Sequence, residues 1–184
     1  MAASLDPRSW GATPEERAAP YPCDALDFPH DETFFRAVDV RAAPHTVWRW
    51  LRQLRVAPYS YDWLDNFGRR SPPRLAPDLA PLGAGDPVMI IFRVVAAAPC
   101  DLTVRLDSKV GRAAMGDFAG TYRVTAGPAG ARLIAKVLVR YPRSPYGAVL
   151  RRAVPYADLI MFRKQLLTLR AYAERDWTAA RNVR

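Results

Sequence analysis

The stretch YADLIMFRKQLLTLRAYAERD, residues 156–176, decides the fold. Its apolar residues recur at alternating steps of three and four, the spacing that makes one stripe along an α-helix. The stripe consists of Leu159, Phe162, Leu166, Leu169 and Ala173, and a second row holds Ile160, Leu167 and Ala171. Pro155 before the stretch and Asp158 within it suit the first turn of a helix. So wide a stripe predicts burial against a large apolar partner.

Alternating residues between positions 88 and 141 predict that partner. Strands are predicted over 88–97, 102–107, 118–125 and 131–141. In the last three strands the inward face carries Leu102, Val104, Leu106, Phe118, Tyr122, Val124, Leu133, Ala135, Val137, Val139 and Tyr141, with polar residues between them. Such alternation predicts an antiparallel sheet with one face in water. A Gly- and Pro-containing turn at 126–130 predicts a hairpin.

The first half of the chain supplies the other predicted elements. A strand at 33–40, with Val38 and Val40 inward, precedes a helix at 44–54 and a short helix within 59–70. Residues 71–87 contain five prolines and predict a long loop. Residues 1–20 are expected to form a mobile tail and residues 20–32 an extended arm lying on the domain. The predicted division is therefore tail and arm at 1–31, one domain at 32–176 and a C-terminal tail at 177–184.

Composition narrows the classes of function. The net charge is +9, but all except three of the 27 basic residues are arginines. They are scattered mostly singly, with short pairs at 69–70 and 151–152, and do not form a nucleic-acid-binding stripe. Two cysteines and two histidines do not predict a disulfide framework or a metal site, and no cofactor motif is present. We expect no nucleic acid, no metal and no cofactor.

No run is long enough to span a membrane and no secretory signal is evident, so we expect a cytoplasmic protein. Peripheral contact with an anionic membrane surface stays open.

The order of strand, two short helices, strand meander and long C-terminal helix resembles the START-like (SRPBCC) superfamily. VDVRAAPHTVWRWLRQL (38–54) and DLIMFRKQLLTLRAYAE (158–174) look like its opening and closing segments, and YSYDWLDNFGRRSP (59–72) looks like a segment of uncharacterised bacterial members labelled polyketide cyclase/dehydrase-like. The resemblance covers about residues 32–176. It implies an α+β helix-grip fold, in which a curved antiparallel sheet wraps around the long helix and two short helices follow the first strand. The superfamily shares no universal catalytic motif.

The resemblance also implies a cavity between the concave sheet face and the long helix, where apolar walls and a few polar groups would form a site. The expected ligand-binding residues are Tyr59, Tyr61, Trp63, Phe92, Val104, Phe118, Tyr122, Val137 and Met161, with Asp62, Asp65 and Asn66 as further polar groups. Tyr61 and Asp62 are the candidates for acid–base catalysis. Each wall residue also fits an ordinary filled core.

Three functions follow from these observations. The first is binding of a hydrophobic small molecule such as a lipid, a polyketide or an aromatic metabolite. The alternative is an enzyme of the polyketide cyclase, aromatase or dehydratase type that uses Tyr and Asp groups in the same cavity. The second alternative is a protein-interaction or stress-response module that uses the arm at 20–32 and the aromatic residues at 59–70. The oligomeric state is left open.

Overall fold

The computed structural model describes residues 6–77 and 79–182. Over these residues the protein has an α+β fold with one seven-stranded sheet. In chain order the elements are β1 (Ser9–Trp10), α1 (Pro14–Ala18), β2 (Glu32–Val40), α2 (Pro44–Arg52), α3 (Asp62–Asp65), β3 (Pro87–Val88), β4 (Phe92–Ala98), β5 (Asp101–Leu106), α4 (Lys109–Met115), β6 (Asp117–Gly127), β7 (Gly130–Arg140) and α5 (Pro145–Asn182). The strand order is β1-β2-β7-β6-β5-β4-β3. Every neighbouring pair is antiparallel except β1 and β2, which are parallel.

The concave face of the sheet packs against α5 and α2, as the alternation predicts. The hairpin of β6 and β7 closes at Gly127 and Gly130, which confirms the predicted turn. Because side chains alternate between faces, one register places all the predicted apolar residues of both strands on the concave side. Leu166, Leu169 and Ala173 of the helix stripe are fully buried there, whereas Leu159 and Phe162 are half-buried.

The last helix is longer than predicted at both ends. It begins at Pro145, and Pro155 lies inside it, so the predicted start at Tyr156 is wrong. The Ser144 hydroxyl accepts a hydrogen bond from the Gly147 N–H at 3.2 Å and caps the true start. Pro155 removes one backbone hydrogen bond, but the residue is buried and the helix continues through it.

Residues 177–182, which the sequence analysis assigned to a C-terminal tail, are helical and continue α5. Trp177 lies on this last part of α5, and its ring meets the His45 ring edge-on at 5.8 Å. That contact gives the extra turns a packing partner at the start of α2. Residues 183–184 lie outside the described residues.

The stretch 1–20, predicted to be a mobile tail, contains two short elements that were not predicted, β1 and α1. Ser9 and Trp10 extend the sheet by pairing with Phe35 and Arg36. The helix α1 begins with a capping box, in which Thr13 and Glu16 bond each other's backbone N–H groups. Short polar segments of this kind have weak periodicity, which is why the sequence pattern missed them. Residues 1–5 lie outside the described residues.

The arm at 20–32 lies on the domain as predicted, but Pro22–Ala25 form a short 3-10 helix instead of extended chain. The arm covers the convex face of the sheet. Tyr21, Cys23 and Phe28 are buried there. They pack with Phe35, Ala37, Ala119, Ile134 and Leu138 on the outer side of the strands. The predicted water-facing outer face is therefore wrong over this area, and the arm covers neither the α5 side of the sheet nor the predicted cavity.

Two further elements differ from the prediction. The strand expected at 88–97 begins only at Phe92, because Met89 and Ile90 take left-handed backbone angles and form a turn. Val88, before that turn, pairs back with Phe92 at the edge of the sheet. The helix α4, between β5 and β6, was not predicted.

Candidate functional site

A buried polar pair, Tyr122 and Gln165, lies between the concave sheet face and α5. The Tyr122 hydroxyl donates to the Gln165 side-chain oxygen at 2.7 Å, and the Gln165 amide donates to the Pro58 carbonyl at 2.7 Å. The sulfur of Met89 lies 3.4 Å from both polar groups. Burial raises the pKa of Tyr122 far above its ordinary value of 10.0, so this phenol stays neutral and acts as a hydrogen-bond donor.

The walls around this pair are apolar and come from four strands and the helix. We call the region around Tyr122 and Gln165, between the concave sheet face and α5, the seam. Its sheet side consists of Phe92, Val104, Phe118 and Val137, four of the residues predicted as cavity walls. The Phe162 ring of α5 stacks on the Tyr122 ring at a centroid distance of 5.8 Å. These side chains fill the seam, and Ile91, Phe92 and Phe162 are half-buried at its border.

Gly120 gives the sheet side of the seam a flat floor between Phe118 and Tyr122. A Cβ at this position would lie 2.5 Å from the Lys136 carbonyl oxygen, which is closer than such atoms approach. The pattern of apolar residues carried no signal for Gly120 or for Gln165, because neither residue contributes to a hydrophobic periodicity.

Tyr59 is buried, but its contacts tie a loop to the core. Its ring packs edge-on against Trp50 and Tyr172, at 5.9 Å and 6.2 Å between centroids. Its hydroxyl accepts a hydrogen bond from Gln53 and donates one to the Pro72 carbonyl, both at 3.1 Å. Burial raises the pKa of Tyr59 to about 12. Tyr59 therefore holds the loop against the core beside the seam.

The remaining predicted polar groups bond within the segment 60–71. Asp62 accepts hydrogen bonds from the Ser71 N–H at 2.7 Å and from the Ser71 hydroxyl at 2.5 Å. Asp65 accepts one from the Ser60 hydroxyl, and burial raises the pKa of Asp65 to about 6. Asn66 donates to the Arg69 carbonyl.

The structure does not pack the aromatic side chains of this segment into the seam. Trp63 is 74% exposed and Phe67 is 82% exposed. Tyr61, which precedes α3, is half-buried. Of the nine predicted ligand-binding residues, Tyr59, Val104 and Tyr122 lie in one buried cluster and Phe118 and Val137 in a second, and Phe92 packs against both. Tyr61 and Met161 are half-buried outside these clusters, and Trp63 is exposed.

A second buried polar pair, which sequence reasoning missed, joins β2 to α5. Arg36 and Asp158 form an ion pair at 2.6 Å, with side chains 0% and 6% exposed. Arg36 also donates to the carbonyls of Phe35 and Pro7, at 2.9 Å and 2.8 Å, while its Nε has no partner. Burial raises the pKa of Asp158 to about 6 and lowers the pKa of Arg36. Arg36 has the same strand parity as Val38 and Val40, and that parity was the available signal.

Two surface grooves lie away from the seam. One, of about 620 Å3, is lined by residues of the β6–β7 turn and the end of α5, including Gly130, Glu174 and Trp177. The other, of about 440 Å3, lies beside β1 and α1 and includes Arg8 and Phe35. No predicted site residue lines either groove. Within residues 6–77 and 79–182, no three His, Cys, Asp or Glu side chains are grouped to hold a metal ion, and no helix is long and apolar enough to cross a membrane.

Comparison with known proteins identifies the fold. No family model matches the sequence, and no curated protein matches it. Protein MLL2253 from Mesorhizobium loti has a TM-score of 0.51 and 18% identity, over 78% of this chain and 98% of that one. Hypothetical protein jhp0584 from Helicobacter pylori has a TM-score of 0.50 and 13% identity, over 84% of this chain and 95% of that one.

The di-domain ARO/CYC protein StfQ from the steffimycin biosynthetic pathway has a TM-score of 0.49 and 12% identity. The match spans 78% of this chain and 51% of StfQ, about half of that protein. At such identities the likeness concerns the fold alone. A curved antiparallel sheet closed by one long C-terminal helix is the arrangement that the sequence resemblance implied. The chain therefore has the START-like, helix-grip fold.

Proposed function

We propose that this protein binds a hydrophobic small molecule in the seam between the concave sheet face and α5. The observation that carries the proposal is the buried Tyr122–Gln165 pair inside otherwise apolar walls. Small-molecule sites have this composition, with mostly apolar linings and a few polar groups that fix orientation. A lipid, a polyketide or an aromatic metabolite with one polar end would suit the seam. Its polar end would meet the Tyr122–Gln165 pair, and its apolar part would contact the walls.

The border of the seam supplies the route of entry. Phe92 and Phe162 are half-buried, so a ligand that enters here displaces two rings that already have a path to solvent. Met89 lies next to the polar pair, and a flexible thioether adapts to occupants of different shape. The Phe162 ring stacked on Tyr122 marks the place that a flat apolar group of the ligand would take.

The acid–base alternative has less support. Both oxygens of Asp62 are engaged by Ser71, which holds the loop in place. Tyr122 is the phenol in the seam, and its raised pKa suits hydrogen bonding better than proton transfer near neutral pH. Binding without turnover therefore accounts for the seam with fewer assumptions.

Titration with the fluorescent probe 8-anilinonaphthalene-1-sulfonate tests the proposal. We expect saturable binding of one probe per chain, and a several-fold higher affinity in Phe162→Ala, because that variant lacks the ring that occupies the seam. The matched control is Phe67→Ala, which removes an exposed Phe and should leave the affinity unchanged. Absence of saturable binding in both the wild type and Phe162→Ala, or equal effects of the two substitutions, would contradict the proposal.

A further inference from the structure

The N-terminal half of α5 carries an apolar stripe that is exposed among the described residues. Tyr146, Val149, Tyr156 and Ile160 are between 50% and 60% exposed. At 3.6 residues per turn, these positions fall within about 80° of one another around the helix, over a length of about 21 Å. We call these four residues the docking face. Single exposed apolar residues are ordinary, but an aligned set marks an interaction surface.

The end of α4 adjoins the docking face and enlarges it. The Tyr146 hydroxyl donates a hydrogen bond to the Ala114 carbonyl at 2.6 Å, so the two helices meet there. Met115, the next residue, is 39% exposed, and Val110 at the other end of α4 is 79% exposed. Exposed apolar side chains of α4 and α5 thus lie around the contact between Tyr146 and Ala114.

The charges around the docking face are almost all positive. Residues 109–115 and 143–164 contain seven lysines and arginines and a single acid, Asp158, whose charge is buried against Arg36. On the helix, Arg152 and Arg163 fall along one border of the docking face, and Lys164 follows its end. These three side chains form no ion pair with any acidic residue that the structure describes, and Arg152, Arg163 and Lys164 are exposed.

The arginines of the sheet behave differently. Arg93, Arg105, Arg123 and Arg132 each pair with a carboxylate, at Asp107, Asp117, Asp101 and Glu16 respectively. The charges of these four arginines are therefore neutralised, whereas Arg152, Arg163 and Lys164 beside the docking face have no acidic partner among the described residues. Aligned apolar and Tyr side chains with cations at their border match the chemistry of an anionic lipid interface, where apolar groups enter the boundary and cations meet phosphates.

We propose that the docking face, with the end of α4, binds the surface of an anionic phospholipid bilayer. The helix lies in the plane of the interface with its axis parallel to the surface. Tyr146 and Tyr156 occupy the headgroup level, while Val149 and Ile160 enter the acyl boundary. This proposal stands on the charge pattern and the exposed stripe, and it does not depend on the ligand proposed for the seam.

Co-sedimentation with vesicles tests the proposal. The full chain is mixed with vesicles of phosphatidylcholine alone, or of phosphatidylcholine with phosphatidylserine, at low and at physiological salt. We expect binding to the anionic vesicles that weakens as salt increases, because charges near the surface are screened. Binding to the neutral vesicles should be at least tenfold weaker.

Two pairs of variants locate the contact. The double variant Arg152→Glu with Lys164→Glu should lose at least about 25-fold in partition to anionic vesicles, since each basic residue near the surface contributes about fivefold. Its control, Arg49→Glu with Arg69→Glu, makes the same change in net charge at exposed arginines elsewhere. Val149→Asp should abolish binding, whereas Val56→Asp at another exposed valine should not. Circular dichroism of all four variants serves to check that each of them folds.

Three results would overturn the proposal. The first is equal loss of vesicle binding in a variant and its control, which would show a general charge effect. The second is failure to bind vesicles combined with a dimer in light scattering that Val149→Asp dissociates, which would make the docking face an interface between copies. The third is failure to bind vesicles combined with binding of duplex RNA that the Arg152 and Lys164 variant loses.

Discussion

The ion pair of Arg36 and Asp158 has no solvent to stabilise its charges. Removing two charges from water costs several kcal/mol per ion, and attraction repays this only in part. The raised pKa of Asp158 and the lowered pKa of Arg36 have the same cause, because burial disfavours both charged forms. The pair fixes β2 against α5, and through the Pro7 carbonyl it also reaches the segment before β1.

Asp158→Asn should change how stability depends on pH. The pKa of Asp158 rises from 3.8 to about 6 on folding, so its stabilising contribution is fully present below about pH 4 and is lost as the pH rises through about 6. The wild type should therefore lose up to about 3 kcal/mol of its advantage over the variant between about pH 4 and pH 7. Urea unfolding at both pH values measures this. An advantage that grows with pH would mean that attraction to Arg36 outweighs burial.

The hydrogen bond between Tyr122 and Gln165 should be measurable as a coupling. Tyr122→Phe leaves the Gln165 oxygen buried without its donor, which costs about 1–3 kcal/mol. Adding Gln165→Leu removes the orphaned group, so the double variant should lose less than the sum of the single variants, by about 1 kcal/mol. A double-mutant cycle by denaturant unfolding checks this, and additive losses would show that the two groups act independently.

At the level of residues, the sequence predicted the apolar walls better than the polar groups between them. Val104, Phe118 and Val137 follow from alternation alone, because one face of each of their strands is apolar. Gln165 and Arg36 interrupt that pattern, and a polar residue at an inward position gives no sign of its partner. Their partners come from distant elements, which periodicity cannot connect.

Among the elements, the arm at 20–32 turns an ordinary outer sheet face into a second apolar layer. Arg123 lies over the Tyr21 ring at 4.5 Å and Arg105 lies over the Phe28 ring at 5.2 Å. The Cys23 N–H donates to the Thr121 hydroxyl at 3.0 Å. Arg105 and Arg123 were expected to be solvated. In the structure they form cation–π contacts with aromatic rings of the arm instead.

Phe28→Ala should therefore destabilise the protein by about 2–4 kcal/mol, because a buried ring and its cation–π contact are lost together. Phe67→Ala is the matched comparison, since Phe67 is 82% exposed and its loss should change stability by no more than about 0.5 kcal/mol. Thermal unfolding of both variants supplies the measurement. Similar shifts in melting temperature would show that the arm contributes nothing to stability.

The misplaced boundaries have a common origin. Pro155 and Gly147 are local signals, and tertiary packing decided where α5 begins. Gly147 lies where an added Cβ would be 1.8 Å from the Pro142 carbonyl, so its role is a close approach at the start of α5. A proline inside a helix is tolerated when the surrounding core holds the helix in place, and sequence propensity does not record that support.

On the scale of the whole molecule, the division into one domain at 32–176 stays a prediction that unfolding can test. Phe162 packs against both apolar clusters of the concave face, which links the two ends of the core. We expect a single cooperative transition, with coincident curves from far-ultraviolet and near-ultraviolet circular dichroism. A separate early transition would indicate that part of the chain unfolds on its own.

The pairing of β2 has a consequence for synthesis of the chain. Its antiparallel neighbour is β7, and Glu32 pairs with Val139 across most of the sequence. At ribosomal rates of about 5–20 residues per second, the finished β2 waits roughly 5–20 s for this partner. During that time Phe34 and Phe35, buried on opposite faces of the folded sheet, remain without cover. The half-made chain is thus the form most exposed to aggregation, and shielding by a ribosome-associated chaperone would matter most before β7 emerges.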